Sequence, residues 1–237
     1  MIKAALKEYI KTFFNSFGTD IIRFPKSASH IRWLNEININ NVVDIGANQG
    51  QFTKKILKVL PESKIFCFEP LPDEYKILKK KFSNYPNILF MNYALGNKAG
   101  KTFFQKNKFS PSSSILEMSE SHKANFPFTA ATSQIEVMME RLDNFLTTIN
   151  PDDKTLIKID VQGYESEVIS GGEEVLKKCK VVFIETSFRE LYTGQKLFED
   201  VYKRLEGIGY KYKGSSNNVY SSISGEILQA DSIFIRE

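Results

Sequence analysis

Apolar positions change period repeatedly along the chain, and the changes mark out elements. Val42 to Ile45 is a short β-branched run, and from Phe52 onward Ile56, Leu57 and Leu60 fall on one helical face. Lys64–Glu69 and Ile88–Asn92 are further strand-like runs, separated by Pro72–Ser83, where Tyr75, Leu78 and Phe82 recur at helical spacing. Leu156–Asp160 and Val181–Glu185 repeat the strand pattern, with Val168 and Ile169 inward between them and a helix over 197–205 after the second. Thr102–Gln105 and Gln134–Met138 read as a pair of strands, and Arg141–Leu146 as a short helix. Alternation of this kind predicts right-handed crossovers, a parallel sheet and a ligand at the strand C-terminal ends. The last two runs, Tyr210–Lys213 and Ser232–Ile235, have too little chain between them for a normal crossover helix, so they should be antiparallel. The expectation is a doubly wound α/β domain over 37–237, with a seven-stranded, mostly parallel sheet and an antiparallel last strand.

Ahead of it, residues 1–36 read as a helical extension. Ile2, Leu6, Tyr9, Ile10, Phe13, Phe14 and Phe17 share one face of a first helix, and Ile31, Trp33 and Leu34 lie on a second over 28–36. Docking on the domain or on a second copy in a homodimer is the expected use of the first helix. Contact of residues 1–18 with a membrane surface is the less favoured one.

The turn after the first strand carries the first candidate chemistry. Gly46 and Gly50 bracket Ala47, Asn48 and Gln49, and a helix begins at Gln51 and Phe52. Glycine there permits left-handed angles and close approach of a ligand to the helix start. Glu69 ends the second strand about 20 residues further on, where a carboxylate can hold both hydroxyls of a ribose. Asn48 and Phe52 fit a dinucleotide fingerprint poorly, and Asp44 inside the strand would gain nothing from a pyrophosphate. An acid at that position can orient the turn or meet a cationic ligand group.

These residues resemble motif I of the class I S-adenosylmethionine-dependent methyltransferases, and Asp-Ile-Gly-Ala-Asn-Gln-Gly-Gln-Phe (44–52) is similar to the FkbM-type family in particular. Lys158 to Glu165, Lys-Ile-Asp-Val-Gln-Gly-Tyr-Glu, matches the family's second motif, with Gln162 where many relatives have glutamate. The resemblance implies a Rossmann-like fold and S-adenosyl-L-methionine as cofactor. It places cofactor contacts at Asp44, Gly46, Ala47, Asn48, Gly50, Gln51, Phe52, Glu69, Pro70, Leu71, Asn92, Ala94, Leu95, Ser113 and Asp160. It also implies O-methylation of a hydroxyl on a glycan, in polysaccharide biosynthesis, or on a secondary metabolite. Asp160, Glu185 and His122 are the candidates for taking the proton, and no metal is expected. Orientation of the two reactants contributes on the order of 7–11 kcal/mol, against roughly 3–5 kcal/mol from a positioned base. The missing histidine base at the strand ends therefore does not argue against an enzyme.

Composition narrows the alternatives. The chain has 237 residues, 42% hydrophobic, with a net charge of +4 spread along its length. That is enough to bury a full core and too little charge for an electrostatic nucleic-acid binder, so no nucleic-acid partner is expected. Two cysteines, Cys67 and Cys179, exclude a disulfide framework and suit a cytoplasmic protein. Lys7, Glu8 and Lys11 interrupt any apolar leader. Residues 107–132 are polar and irregular; with Pro111-Ser112-Ser113-Ser114 and His122 they read as a substrate lid. A solvent-exposed loop is the equal alternative.

Overall fold

The structure, a computed structural model, describes residues 29–129 and 131–237. The helix expected over residues 2–17, and the membrane contact drawn from it, lie outside the described residues. The second helix is a 3-10 helix, Ser29–Leu34.

Seven strands form the main sheet. They are β1 (Asn41–Ile45), β2 (Lys64–Phe68), β3 (Ile88–Met91), β7 (Thr155–Ile159), β8 (Val181–Ser187), β9 (Tyr210–Tyr220) and β10 (Ile227–Arg236). Their order is β3-β2-β1-β7-β8-β10-β9, and β10 runs antiparallel to both neighbours while β3, β2, β1, β7 and β8 are parallel. The doubly wound, mostly parallel sheet expected from the pattern is therefore present. Strand order reverses between β1 and β7, where the crossovers part to opposite faces and leave a crevice.

Both faces of the sheet are covered, so its strands read as nearly continuous apolar runs. On one face Val43, Ile45, Ile157, Ile159, Val182 and Ile184 pack with Val168, Ile169, Val201 and Leu205. Those last four residues belong to α5 (Glu165–Gly171) and α7 (Phe198–Gly207); α6 (Glu173–Leu176) adds Val175 and Leu176. On the other face Val42, Ile65, Leu156 and Val181 meet Ile31, Leu34, Ile56 and Leu78. Ile56 and Leu78 come from α1 (Gln51–Leu57) and α2 (Pro72–Lys81).

A small second sheet flanks the crevice. Its strands are β4 (Ala94–Leu95), β5 (Gly100–Asn107) and β6 (Thr132–Glu140); β5 and β6 pair with each other as expected, and they run antiparallel. Between β5 and β6 the chain is not irregular: it holds a 3-10 turn at Ser110–Ser112, α3 (Glu120–Asn125) and a second 3-10 turn at Pro127–Thr129. The Ser119 side chain accepts from the His122 N–H and so caps α3, a polar signal that composition alone does not separate from a loop. Leu142–Phe145 is a 3-10 turn running into α4 (Leu146–Ile149).

The final hairpin is longer than periodicity indicated. Gly214 to Asn218 is polar throughout and gives no alternation, yet it pairs with β10 through two register irregularities. An edge strand needs a partner's backbone rather than an apolar face.

Candidate active site

A cleft of about 390 Å3 lies over the C-terminal ends of β1, β2, β7 and β8. The turn after β1 forms one wall. Gly46 has φ +75, and a Cβ there would lie 1.8 Å from the Asp160 carbonyl oxygen, so only glycine lets the two turns meet at the crossover point. Gly50, at φ +81, faces Phe82 of the helix layer rather than the cleft.

Glu69 stands opposite and is buried. Its Oε2 accepts the Asn48 backbone N–H at 2.7 Å and its Oε1 the Leu71 N–H at 2.9 Å, so the carboxylate ties both turns together. Burial, opposed by these two donors, raises its pKa to about 7. Asn92 braces the same turn by donating to the carbonyls of Glu69 and Pro70, at 2.8 and 3.0 Å, and does not line the cleft. Beside Glu69 the wall is apolar, made by Leu71, Tyr93, Ala94, Leu95, Phe104 and Ile115. Ala47, Asn48, Gln51, Phe52, Pro70 and Ser113 complete this half.

Asp44 does not line the cleft. It is fully buried beneath the turn, where its Oδ2 accepts the Thr53 hydroxyl at 2.7 Å and its Oδ1 has no hydrogen-bond partner. Strand register sets Asp44 directly beside Lys158 on β7, whose Nζ lies 3.7 Å from Asp44 and 3.0 Å from Asp160. The carboxylate thus braces the turn through Thr53 of α1 and through Lys158.

The other half of the cleft is acidic. Asp160 and Glu185, at the ends of β7 and β8, both line it. The amide of Gln162 donates to Asp160 Oδ1 at 2.9 Å and to Glu185 Oε2 at 2.8 Å, and Gln229 adds a second donor to Glu185 at 2.9 Å. Burial first, then Asp160, Glu165 and Asp231, holds Glu185 well above the usual carboxylate range. Asp231 faces Glu185 across the antiparallel β8–β10 pairing. Among the described residues no group of three or more His, Cys, Asp or Glu side chains is arranged to hold a metal ion.

His122 does not join them. It is buried between the rings of Phe126 and Tyr192, with Nε2 at 3.1 Å from the Thr129 hydroxyl, and it does not line the cleft. Because the Thr129 hydroxyl donates to the Phe126 carbonyl at 2.7 Å, the imidazole must donate in turn, and burial lowers its pKa to about 4. It anchors the covering segment. That segment reaches the cleft through Ser110, Pro111, Ser113 and Ile115. It is held there by Asn48 Nδ2 to Ser110 Oγ at 3.0 Å and by Ser114 Oγ to the Gln162 carbonyl at 2.6 Å.

Three residues of this site escaped the sequence reading: Lys158, Gln229 and Asp231. A signal existed for the first, since a charge inside each of two apolar strands must find a partner, and Asp44 and Lys158 are that pair. None existed for the other two, which arrive from the far end of the chain.

The model of the methyltransferase FkbM domain matches residues 44–212. The chain belongs to the FkbM methyltransferase family. Among curated relatives of this FkbM chain, 2-O-methyltransferase NoeI of Sinorhizobium fredii is 29% identical over 160 residues, 65% of this chain and 66% of that protein. Methyltransferase sdnD of Sordaria araneosa is 29% identical over 173 residues, 61% and 65% of the two chains. The chain spans just under two thirds of the length of these curated relatives. A methyltransferase FkbM from Methylobacillus flagellatus superposes with a TM-score of 0.52 at 15% identity, over 84% of this chain and 44% of that one. Magnesium protoporphyrin IX methyltransferase of Synechocystis, solved with S-adenosylmethionine bound, superposes at 0.50 and 11% identity over 98% and 97%. Both superpositions concern the Rossmann-like fold.

Proposed function

We propose that this FkbM chain transfers a methyl group from S-adenosyl-L-methionine to a hydroxyl of a small molecule or glycan. The observation that carries the reading is one cleft with two unlike halves, a nucleoside-sized apolar slot beside a buried Glu69 and an acidic floor of Asp160 and Glu185. The residues fit the cofactor. Glu69 has lone pairs beyond the two it gives to backbone amides, enough for ribose hydroxyls, and the apolar wall from Leu71 to Ile115 suits a purine face. Gly46 clears the approach to the turn, and the carboxylates favour a cationic centre over a pyrophosphate.

When bound, the cofactor supplies a methyl carbon activated by a sulfonium, with a neutral thioether as the leaving group. The chain's part is to orient and to move one proton. Glu185 is raised toward neutrality and partly buried, so its ionised form is a base matched to a hydroxyl. The Glu185 carboxylate would take the proton of the acceptor hydroxyl. Asp160, ion-paired with Lys158 at 3.0 Å, shares the Gln162 amide with Glu185. The segment 108–129 closes over the cleft and keeps water from the reacting atoms. NoeI, the relative named for 2-O-methylation, supports a hydroxyl acceptor.

Calorimetry with S-adenosylmethionine tests this. The wild-type chain should bind it, and Glu69→Ala should bind it about 10- to 100-fold more weakly, the loss of hydrogen bonds to a charged group. Methyl-labelled cofactor with a panel of nucleotide sugars, glycans and polyketides, read by mass spectrometry, then identifies the acceptor. Binding of NADH with S-adenosylmethionine ignored would end the proposal.

A further inference from the structure

Gln162 is singular on three separate counts. Its backbone sits at φ 55, in the left-handed region that a residue with a side chain seldom occupies. Its amide is saturated: the two N–H hydrogens go to Asp160 at 2.9 Å and Glu185 at 2.8 Å, and Oε1 accepts from the Tyr192 hydroxyl at 2.8 Å. Its carbonyl accepts from Ser114 of the covering segment. Strain held in place by this many partners is a mark of function rather than of packing.

We propose that Gln162 is a positioning residue whose uncharged amide, oriented by Tyr192, clamps the Asp160 and Glu185 carboxylates side by side so that Glu185 can take the acceptor's proton. The proposal rests on the reading of Glu185 as proton acceptor. Orientation matters because an amide turned over would aim its oxygen at two carboxylates. Tyr192 prevents this by donating to the oxygen end, and burial, together with Glu185, Glu165 and Asp160, keeps its phenol protonated. Glu185 is faced by Asp160 and Lys158 from β7 and the turn after it, by Glu165 from α5, by Asp231 from β10 and by Tyr192 from the loop after β8. All the carboxylates push its proton affinity up, and Lys158 pulls it down. The amide N–H adds to the downward pull by stabilising the ionised form. A glutamate at 162 would remove that donor and add another negative neighbour.

The test reads Glu185 directly and needs no acceptor substrate. Full-length protein labelled with carboxyl-13C glutamate is titrated by NMR, with the Glu185 resonance identified by its loss in Glu185→Gln. In Gln162→Glu the Glu185 midpoint should rise by about one pH unit or more, the effect of a like charge at hydrogen-bond distance. In Tyr192→Phe it should rise in the same direction by less. Circular dichroism establishes folding, and if Gln162→Glu does not fold, Tyr192→Phe decides. A purely structural role would lower the unfolding temperature and leave the Glu185 midpoint within about 0.3 of wild type, and that result in the folded variants overturns the proposal. Failure of the cofactor reading shows separately, as absence of S-adenosylmethionine binding by the wild-type chain.

Discussion

Replacing Lys158 by methionine isolates the electrostatics beneath the cleft. Methionine keeps an unbranched apolar stem and removes the charge alone. Asp44 is then fully buried with one donor, the Thr53 hydroxyl at 2.7 Å, and no cation. Removing one partner of a buried pair costs about 3–5 kcal/mol. Proton uptake limits the loss. A carboxyl with an unfolded pKa of about 3.9 can be neutralised at pH 7 for at most about 4 kcal/mol, and at pH 5 for about 1.5 kcal/mol. The sign follows from the direction of the shift. Burial raises Asp44, and Lys158 is the largest influence opposing it, so the variant's Asp44 rises further. A carboxyl raised in the folded state contributes stability that is present below its unfolded pKa and lost as pH rises through the folded one. The deficit of Lys158→Met relative to wild type should therefore grow from roughly 1.5 kcal/mol at pH 5 to about 3–4 kcal/mol at pH 7. Urea unfolding of both proteins at pH 5, 6 and 7 measures it. A deficit below about 1 kcal/mol at pH 7, or one equal at pH 5 and pH 7, would refute the claim that Lys158 is Asp44's counter-charge.

Gly46→Ala should lose at least about 2 kcal/mol of stability, since its left-handed angle carries a strain of about 1–2 kcal/mol and its Cβ would overlap the Asp160 carbonyl at 1.8 Å. Thermal unfolding checks the stability, and calorimetry should show S-adenosylmethionine binding lost with it. His122 has its folded pKa depressed to about 4, so its contribution is present above pH 6.5 and lost as pH falls toward 4, by roughly 3 kcal/mol in all. Hydrogen exchange should show residues 120–129 opening between pH 6.5 and pH 4.5, and His122→Phe should abolish that acid sensitivity.

How far the sequence could be read depended on whether the signal was local. The strand–turn–helix units at 42–57 and 156–171 were legible because apolar period, glycine position and family motif coincide within each unit. Together with the strand that ends before Glu69, these units brought Gly46, Glu69 and Asp160 to one crevice, since parallel crossovers put every such turn on one edge of the sheet. The covering segment misled for the converse reason: its helices are short, the longest being the six residues Glu120–Asn125 capped by Ser119, and polar composition looks alike in a short capped helix and a loop.

Local pattern by itself therefore determined the class of fold and the edge of the sheet on which its glycine turns would gather, because these depend on periodicity and on backbone angles that only glycine tolerates. Tertiary structure alone decided which side chains meet there. It sent His122 into an aromatic packing site, drew Asp44 beneath the floor to Lys158, and set Gln162, Gln229 and Asp231 around Glu185. Those contacts depend on strand register and on pairings between residues far apart in the chain, as between Glu185 and Gln229, 44 positions on. A side chain's neighbours across a sheet are fixed by that register, and no stretch of sequence carries it alone.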